Sequence, residues 1–317
     1  MRKNRIGIAA IFIFFAAIII GGQLTAARIE AANKKAAVTY TIGYLPITHA
    51  LPVFEEKELL EAEDSNVQIQ LQKFSSWSDL TDALHAGKID GASELIELAM
   101  SAKEKGVDLK AAALGHRDGN VIIVNDTIQD AADMKGKTFA IPSTQSSHYI
   151  LLQDKLAKAG LTLDDIQITQ LAPAEMPSSL ASGAIDGYCV AEPFGAQAVT
   201  QGFGKVLARS DELWEDSLCC GLIFRTDVIE KDPEAFQELL DNYFKAGDKL
   251  DNDEALRIAE TYLGQDTATL ETSLDWISYK DLTITESAYE TLREKMIQDG
   301  VMENPPSYED FVYISEE

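Results

Sequence analysis

Cysteine and histidine are scarce in this chain, whose 317 residues include three Cys and four His. An odd number of cysteines cannot form a closed set of disulfides, and the spacing of Cys189, Cys219 and Cys220 matches no structural zinc motif. We interpret them either as small buried apolar residues or as one bridge from Cys189 to Cys219 or Cys220. A fold that depends on a disulfide framework is therefore excluded.

Basic residues are also scarce. The 27 Lys and Arg are outnumbered by 52 Asp and Glu, which gives a net charge of −25. A strongly acidic surface repels nucleic-acid phosphates and anionic lipid headgroups. We therefore expect no nucleic-acid partner and no peripheral lipid surface as partner.

Familiar catalytic motifs are missing from the sequence. There is no G-x-S-x-G and no H-E-x-x-H. The "GKT" at Gly136–Thr138 is not a P-loop, because Ala131 stands where the first Gly is required and because the segment precedes a strand. We expect a binding protein and not an enzyme. An exported enzyme with His148 as general base is the hypothesis from a different class.

A long apolar run follows the basic start "MRKNR" and extends from Ile6 to Ile20. This pattern is typical of an export signal, which we predict over residues 1–31. The run is short for a membrane span, so we expect cleavage near Ala26 or Ala31, with an uncleaved anchor as the alternative. No Cys follows the run, so a lipoprotein is not expected. The protein is predicted to be extracytoplasmic, either secreted or anchored to the outer face of the cytoplasmic membrane, and to touch the membrane only through this segment.

The pattern L-x-x-G-x-I-D-G occurs twice, in "LHAGKIDG" from Leu84 and in "LASGAIDG" from Leu180. In each copy a helix ends, a Gly provides a left-handed C-cap, and the Ile begins a strand. Strands also alternate with helices of about ten residues in the same order around both copies, which predicts parallel α/β sheets. The sequence therefore predicts an α/β protein with two similar doubly wound domains.

Two long apolar strands divide these domains. We predict domain one over 38–122 plus 222–317 and domain two over 123–221, with "VIIVND" and "SLCCGLIFRTD" as the crossing strands. The C-terminal tail reads as helices packed on domain one. Ligands of open α/β sheets bind at the carboxyl ends of the strands, so we expect the site in the cleft between the domains.

Several stretches between about residues 40 and 245 resemble the substrate-binding proteins of ABC importers. The similarity is carried by "GYLPITHALP", "DALHAGKIDGAS", "MKGKTFAIP", "LASGAIDGYCVAEPFGAQAV" and "GLIFRTDVI". The subgroup is that of nitrate, sulfonate, bicarbonate and thiamine-pyrimidine binders. The resemblance implies the type II periplasmic-binding fold, one small ligand in the cleft, an ABC permease with its ATPase as partners, and a monomer.

The resemblance also implies site residues. Nitrate-type binders carry a Trp after the second strand, matched by Trp77, and a His in the first loop of domain two, matched by His148. They carry a Lys just before the returning strand, where this chain has Cys220. That departure removes the cation that would pair with a small anion. The ligand implied is a sulfonate, a nitrate-like oxyanion or a pyrimidine.

Three histidines follow predicted strands at their carboxyl ends: His49, His116 and His148. Imidazole, carboxylate and thiolate groups are the ligands of zinc and similar transition metals. The alternative function is therefore the capture of a transition metal or a metal chelate by these three histidines. We expect no cofactor apart from such a bound zinc ion.

Polar residues before the first helix of domain two complete the predicted site, because the free N–H groups of a helix start attract anions and polar groups. Arg117 is the one cation in these loops, and it either contacts the ligand or pairs with Asp118 or Glu94. The predicted ligand contacts are Thr48, His49, Trp77, Ser93, Glu94, His116, Arg117, Ser143, Thr144, Gln145, Ser147, His148, Glu192 and Cys220.

Overall fold

The computed structural model describes residues 37–314, so the segment predicted as an export signal lies outside the described residues. The described strands are β1 Val38–Tyr44, β2 Val67–Lys73, β3 Gly91–Leu95, β4 Leu109–Leu114, β5 Arg117–Asp118, β6 Asn120–Val124, β7 Thr138–Ile141, β8 Gln167–Gln170, β9 Gly187–Ala191, β10 Lys205–Arg209, β11 Cys220–Arg225 and β12 Ile277–Ser278. The described α-helices are α1 Leu51–Ala62, α2 Trp77–His85, α3 Ile96–Glu104, α4 Ser147–Ala157, α5 Met176–Ala181, α6 Phe194–Thr200, α7 Ser210–Leu213, α8 Thr226–Lys231, α9 Pro233–Lys249, α10 Asn252–Tyr262, α11 Thr267–Leu274, α12 Glu286–Gln298 and α13 Tyr308–Phe311. The predicted α/β class is confirmed.

Two five-stranded sheets carry the fold. The first sheet has the order β2-β1-β3-β11-β4, and the second has the order β10-β6-β9-β7-β8. In each sheet neighbouring strands run parallel, as β1 does with β3 and β7 does with β8 and β9. Each sheet also receives one long antiparallel strand, β11 beside β3 and β4 in the first and β6 beside β9 and β10 in the second. The chain therefore passes to the second sheet after β4 and returns to the first sheet with β11.

The repeated I-D-G motif has the same structural role in both sheets. Oδ2 of Asp90 accepts a hydrogen bond from the backbone N–H of Thr41 at 2.7 Å, and the backbone N–H of Asp90 donates to the carbonyl of Thr41 at 2.8 Å. Asp186 makes the same two bonds with Thr138, at 2.9 and 2.8 Å. Each aspartate thus ties the turn that follows a helix to a strand of its own sheet, β1 for Asp90 and β7 for Asp186.

The glycines of the motif are needed for two different reasons. Gly87 and Gly183 have φ of +65° and +74°, the left-handed conformation predicted for the helix C-cap. At Gly91 and Gly187 a Cβ atom would lie 2.6 and 2.4 Å from a phenylalanine side chain. Close packing at the start of β3 and β9, and not backbone conformation, therefore requires the second glycine.

The C-terminal helices pack on the first-sheet side and also contact the second. Helix α9 packs on α1, and α13 lies beside β4. Helix α11 contacts α6, and Nζ of Lys295 in α12 pairs with Asp154 of α4 at 2.8 Å. No described helix combines the length and the apolar character that crossing a membrane requires.

An apolar cluster fixes the segment that follows β1. Leu51 and Phe54 of α1 pack there with Ile258 of α10 and Leu270 of α11. Directly before α1, residues Thr48–Ala50 form one turn of 3₁₀ helix that is wholly buried. The backbone of this turn is therefore held in place by the core, which matters for the histidine that it carries.

Candidate functional site

Four potential metal-ligating side chains meet in the interior of the protein. One ligand atom from each of His49, His116, Cys219 and Cys220 lies within 4.8 Å of every other, and all four residues are buried. His49 lies on the 3₁₀ turn after β1, His116 follows β4, and the two cysteines are at the start of β11. We call these residues the four-donor group. Every member belongs to a segment that enters or leaves the first sheet.

The ring of His49 has a fixed orientation. Its Nε2 atom lies 3.0 Å from the carbonyl oxygen of Gly119. A carbonyl oxygen only accepts hydrogen bonds, so Nε2 carries a proton. Nδ1 lies 3.4 Å from Sγ of Cys220 and 3.9 Å from Sγ of Cys219. Nδ1 thus faces both sulfurs.

His116 is held in a similar way by its other nitrogen. Nδ1 donates to the carbonyl of Asp118 at 2.6 Å, and Nε2 accepts a long bond of 3.4 Å from the backbone N–H of Cys220. The ring stacks on that of His49 with 3.4 Å between centroids. Burial, with a smaller contribution from His49, lowers the pKa of His116 to about 4. The imidazole is therefore neutral at neutral pH, as a metal ligand must be.

The two thiols are free, and their pKa values differ. Sγ of Cys219 lies 3.8 Å from Sγ of Cys220 and 3.7 Å from Oδ1 of Asn120. Burial acts to raise the pKa of Cys219, but the hydrogen bond with Cys220 and the nearby histidines together bring it well below its usual range. Burial and the neighbouring Cys219 raise the pKa of Cys220 well above its usual range. Of the two side chains, Cys219 is therefore the one that loses its proton more readily. The third cysteine, Cys189, is also free and buried, so no described bridge forms.

His148 lies outside the four-donor group, at the second residue of α4. It is fully buried, and neither ring nitrogen has a hydrogen-bond partner. Burial lowers its pKa to about 4, while Cys219 acts in the opposite direction and His49 in the same one. His148 is thus close enough to interact electrostatically with the group, and it comes from the second-sheet side.

A buried carboxyl group, Glu97, faces the same interior region from α3. Its pKa is raised well above the usual range, first by burial and then by the charge of Cys219. The hydroxyl and backbone N–H of Ser147 oppose that rise, although no oxygen of Glu97 has a partner at full hydrogen-bond geometry. An unpaired buried polar atom costs about 1–3 kcal/mol, so a ligand that pairs with these atoms gains that energy.

The two predicted carboxyl groups, Glu94 and Glu192, are both fully buried. Glu94 accepts a hydrogen bond from the hydroxyl of Thr81, and burial raises its pKa to about 7. Glu192 accepts through its carboxylate from the backbone N–H of Ala196, and burial raises its pKa to about 8. The backbone carbonyl of Glu192 accepts from the N–H and the hydroxyl of Thr48 at 2.9 and 3.0 Å. Ser93 is buried in β3 next to Glu94.

The remaining predicted contacts lie away from the four-donor group. Trp77 and Ser143 line an open pocket of about 390 Å³. The backbone N–H of Thr144 donates to Oε1 of Gln170, and Nε2 of Gln145 donates to Oγ of Ser101. Gln145 thus links the segment before α4 to α3, and Thr144 links it to β8. None of these residues belongs to the four-donor group.

Arg117 points toward the surface. Its Nε–H donates to the carbonyl of Asp281 at 2.8 Å, and Nη2 donates to the carbonyl of Thr283 at 3.4 Å. The guanidinium also lies 3.6 Å from Asp216 and 3.5 Å from the carboxylate of Asp281. The cation that the sequence offers to a ligand is therefore engaged with other groups.

Cys219 and Glu97 are site residues that the sequence patterns did not indicate. The resemblance pointed only to Cys220, which stands at the position of the Lys in nitrate-type binders. Cys219 directly precedes β11 and belongs to the same four-donor group. The dipeptide Cys219–Cys220 directly before the returning strand was the signal that could have identified both.

Comparison with solved structures identifies the fold. The crystal structure of the ligand-binding component of an ABC-type import system from Staphylococcus aureus, which has zinc bound, is 38% identical, with a TM-score of 0.84 over 87% of this chain and 96% of that chain. The periplasmic nitrate-binding protein NrtA of Synechocystis is 20% identical, with a TM-score of 0.74 over 87% and 85% of the two chains. The predicted periplasmic-binding fold is confirmed.

Curated proteins with similar sequences are also binding proteins for small ligands. The nitrate/nitrite binding protein NrtA of Nostoc is 29% identical over 73% of this chain and 59% of its own length. A putative aliphatic sulfonates-binding protein of Escherichia coli is 28% identical over 62% of each chain. The chain thus spans less than two thirds of either of these curated relatives. Residues 32–263 match the NMT1-like family, and the chain belongs to that family.

Proposed function

We propose that this protein is the solute-binding component of an ABC importer. It binds one small ligand outside the cytoplasm and delivers it to a permease and its ATPase, without catalysis and as a monomer. Residues 38–122 with 222–317 and residues 123–221 form the two lobes, and residues 1–31 direct export or anchor the chain. The observation that carries the proposal is a buried site whose polar atoms lack partners, on Ser147, His148 and Glu97. Both halves build this site, since Ser147 and His148 come from α4 of the second half and Glu97 comes from α3 of the first.

The names of the relatives suggest a sulfonate or a nitrate-like oxyanion as the first candidates, and the resemblance of the sequence adds a pyrimidine. His148 and Ser147 supply hydrogen-bonding groups at the start of α4, where the helix dipole also favours an anion. Trp77, in the wall of the open pocket, offers an apolar surface to a planar or aliphatic ligand.

A transition-metal ion is the second candidate. It is favoured by the four-donor group and by the zinc in the Staphylococcus aureus relative. Among residues 37–314 no Lys or Arg is buried, so a free anion at the buried site would meet no cationic side chain.

The test is a thermal-shift panel on the purified full-length chain after treatment with EDTA. The probes are sodium nitrate, sodium bicarbonate, taurine, hydroxymethylpyrimidine and zinc chloride. A ligand at 100 times its Kd adds about 2.7 kcal/mol to the free energy of unfolding, which raises Tm by several degrees. Small-angle scattering on the same samples measures compaction with the ligand.

The control is a pair of histidine variants. His148→Ala removes a buried group of the site, whereas His85→Ala removes a partly exposed group on α2. We expect a shift with one probe class that is reduced in His148→Ala and unchanged in His85→Ala. If no probe raises Tm or compacts the protein, the proposal is wrong.

A further inference from the structure

The three distances that join His49, Cys219 and Cys220 are close to those of a tetrahedral ion site. With bonds of about 2.3 Å to sulfur and about 2.0 Å to nitrogen, a tetrahedral zinc ion sets two sulfurs about 3.8 Å apart and a sulfur and a nitrogen about 3.5 Å apart. The sulfurs of Cys219 and Cys220 are 3.8 Å apart, and Nδ1 of His49 is 3.4 and 3.9 Å from them. The ligand atom of His116, the fourth donor, lies within 4.8 Å of each of these three atoms.

The backbone orients both imidazoles for that role. A metal-bound histidine almost always donates its other N–H to a carbonyl or carboxylate, which fixes the tautomer. His49 donates to the carbonyl of Gly119 and His116 to that of Asp118, so two successive carbonyls fix the two rings. Asp118 and Gly119 have φ of +60° and +76°, two successive left-handed residues. A non-glycine residue in that conformation is strained, and such strain is concentrated at functional sites.

The charges around the group suit a cation. Two coordinating thiolates carry two negative charges, which balance those of a divalent ion. No positively charged side chain is buried in the part of the chain that the structure describes, so nothing competes with a metal ion for these donors. Sulfur and imidazole donors favour zinc-like ions, whereas Mg²⁺ and Ca²⁺ prefer oxygen.

From these observations we infer that the cargo is a borderline-soft divalent transition-metal ion such as Zn²⁺. It is coordinated by Nδ1 of His49, Nε2 of His116 and the two sulfurs of Cys219 and Cys220. This inference rests on the proposed function, because it names the ligand class of the same binding protein. All four donors lie on segments of the first sheet, so the ion binds to that half, and His148 approaches from the second half without being a donor.

The experiment uses cobalt as a spectroscopic probe of the full-length chain after removal of metal with EDTA. Co²⁺ in a tetrahedral site with two thiolates gives intense visible bands and a near-ultraviolet sulfur-to-cobalt band. We expect both with one equivalent of Co²⁺, and we expect one equivalent of Zn²⁺ to abolish them, whereas Mn²⁺ and Mg²⁺ have no effect. X-ray absorption at the zinc edge of the wild type should count two sulfur and two nitrogen ligands, which needs no variant.

Matched variants locate the ion. Loss of a residue that only hydrogen-bonds to a metal ligand lowers metal affinity about 10- to 100-fold. Cys219→Ser and Cys220→Ser each remove a ligand itself, so each should lower zinc affinity by more than that. Cys189→Ser changes the third buried cysteine, which lies outside the group, and should leave affinity and spectrum unchanged. Far-ultraviolet circular dichroism and urea unfolding of each metal-free variant check that it folds.

The outcomes separate this inference from the proposed function. If Zn²⁺ does not bind but taurine, nitrate, bicarbonate or the pyrimidine does, the metal cargo is overturned and the importer role stands. Zinc that remains bound with full affinity in a Cys219→Ser/Cys220→Ser variant, or a zinc edge without sulfur ligands, also overturns it. If no probe binds at all, both the inference and the proposed function fail.

Discussion

Nδ1 of His49 lies 3.4 Å from Sγ of Cys220, although the two residues are 171 positions apart in the chain. The contact joins the segment after the first strand to the start of the last long strand of the same sheet. The donors therefore come together only once β11 has returned beside β3 and β4. Ligand binding at this site should therefore stabilise the whole first sheet, because the ligand would connect the segment after β1 to the start of β11.

Substitution of Gly115 should disturb this contact. A Cβ atom there would lie 2.7 Å from the carbonyl oxygen of His49 and 3.3 Å from that of Cys220. Gly115→Ala must move one of the two donor-bearing segments, which should cost about 1–3 kcal/mol of unfolding free energy and weaken zinc binding. Urea unfolding and a zinc competition titration measure the two effects.

Gly106→Ala is the matched control. Gly106 has φ of +94°, but no atom lies within 4 Å of a Cβ built there. This variant should lose stability through backbone strain alone and keep the zinc affinity of the wild type. Equal zinc affinity in both variants would contradict the role assigned to the close approach at Gly115.

Both aspartates of the repeated motif should contribute to stability through the strand N–H from which each accepts. Asp90→Ala and Asp186→Ala each remove a carboxylate that accepts from a strand N–H, so each should cost about 1–3 kcal/mol. The sites lie in different sheets and share no partner, so the double variant should lose the sum. Urea unfolding measures the free energies, with exposed Asp126→Ala as the control that should change little. A clear loss at only one of the two positions would show that the motif does not act alike in both halves.

The repeat illustrates what a sequence can predict. The left-handed conformation of Gly87 and Gly183 could be predicted because helices commonly end with a glycine in that conformation. Both glycines have it in the structure. The role of Asp90 was not predicted, since its partner, the N–H of Thr41, lies on a strand 49 positions earlier. Local conformation follows from nearby residues, whereas pairing between distant segments depends on the sheet order.

The site shows the same limit. His49 and His116 follow strands, and a position at a carboxyl end was enough to predict that they meet. Arg117 follows a strand as well, but its guanidinium binds carbonyls of residues 281 and 283. Those residues belong to the C-terminal tail. The periodicity of the tail predicts its helices but not which side chains its loops contact. The sequence thus predicted which segments surround the site better than which side chains enter it.

Arg117→Ala should therefore lower stability without lowering ligand affinity. The variant loses the bonds to the carbonyls of Asp281 and Thr283, which are exposed residues, so we expect a loss of about 1 kcal/mol. Urea unfolding measures this loss, and the thermal-shift panel compares affinities. Arg117→Lys keeps the charge but not the forked geometry, so its stability should fall as well. If Arg117→Ala instead abolishes binding of an anionic probe, Arg117 contacts the ligand as the sequence suggested.

Glu192 should make stability depend on pH. Burial raises its pKa from 4.5 to about 8 in the folded protein. Between these values the unfolded chain has lost the proton while the folded protein keeps it, so stability falls as pH rises from about 4.5 to about 8. Below this window the carboxyl is protonated in both states, and above it the loss is complete.

The Glu192→Gln variant tests this dependence because it keeps an oxygen that can accept from Ala196 but cannot ionise. Glu94, whose pKa is raised to about 7, acts in the same sense but is present in both proteins and cancels in the comparison. Relative to the wild type, Glu192→Gln should gain on the order of a few kcal/mol between pH 5 and pH 8.5. Urea unfolding at both pH values measures the difference, and exposed Glu63→Gln is the control. Parallel stability curves for Glu192→Gln and the wild type would mean that Glu192 is ionised in the folded protein, because only a proton kept on folding produces the slope.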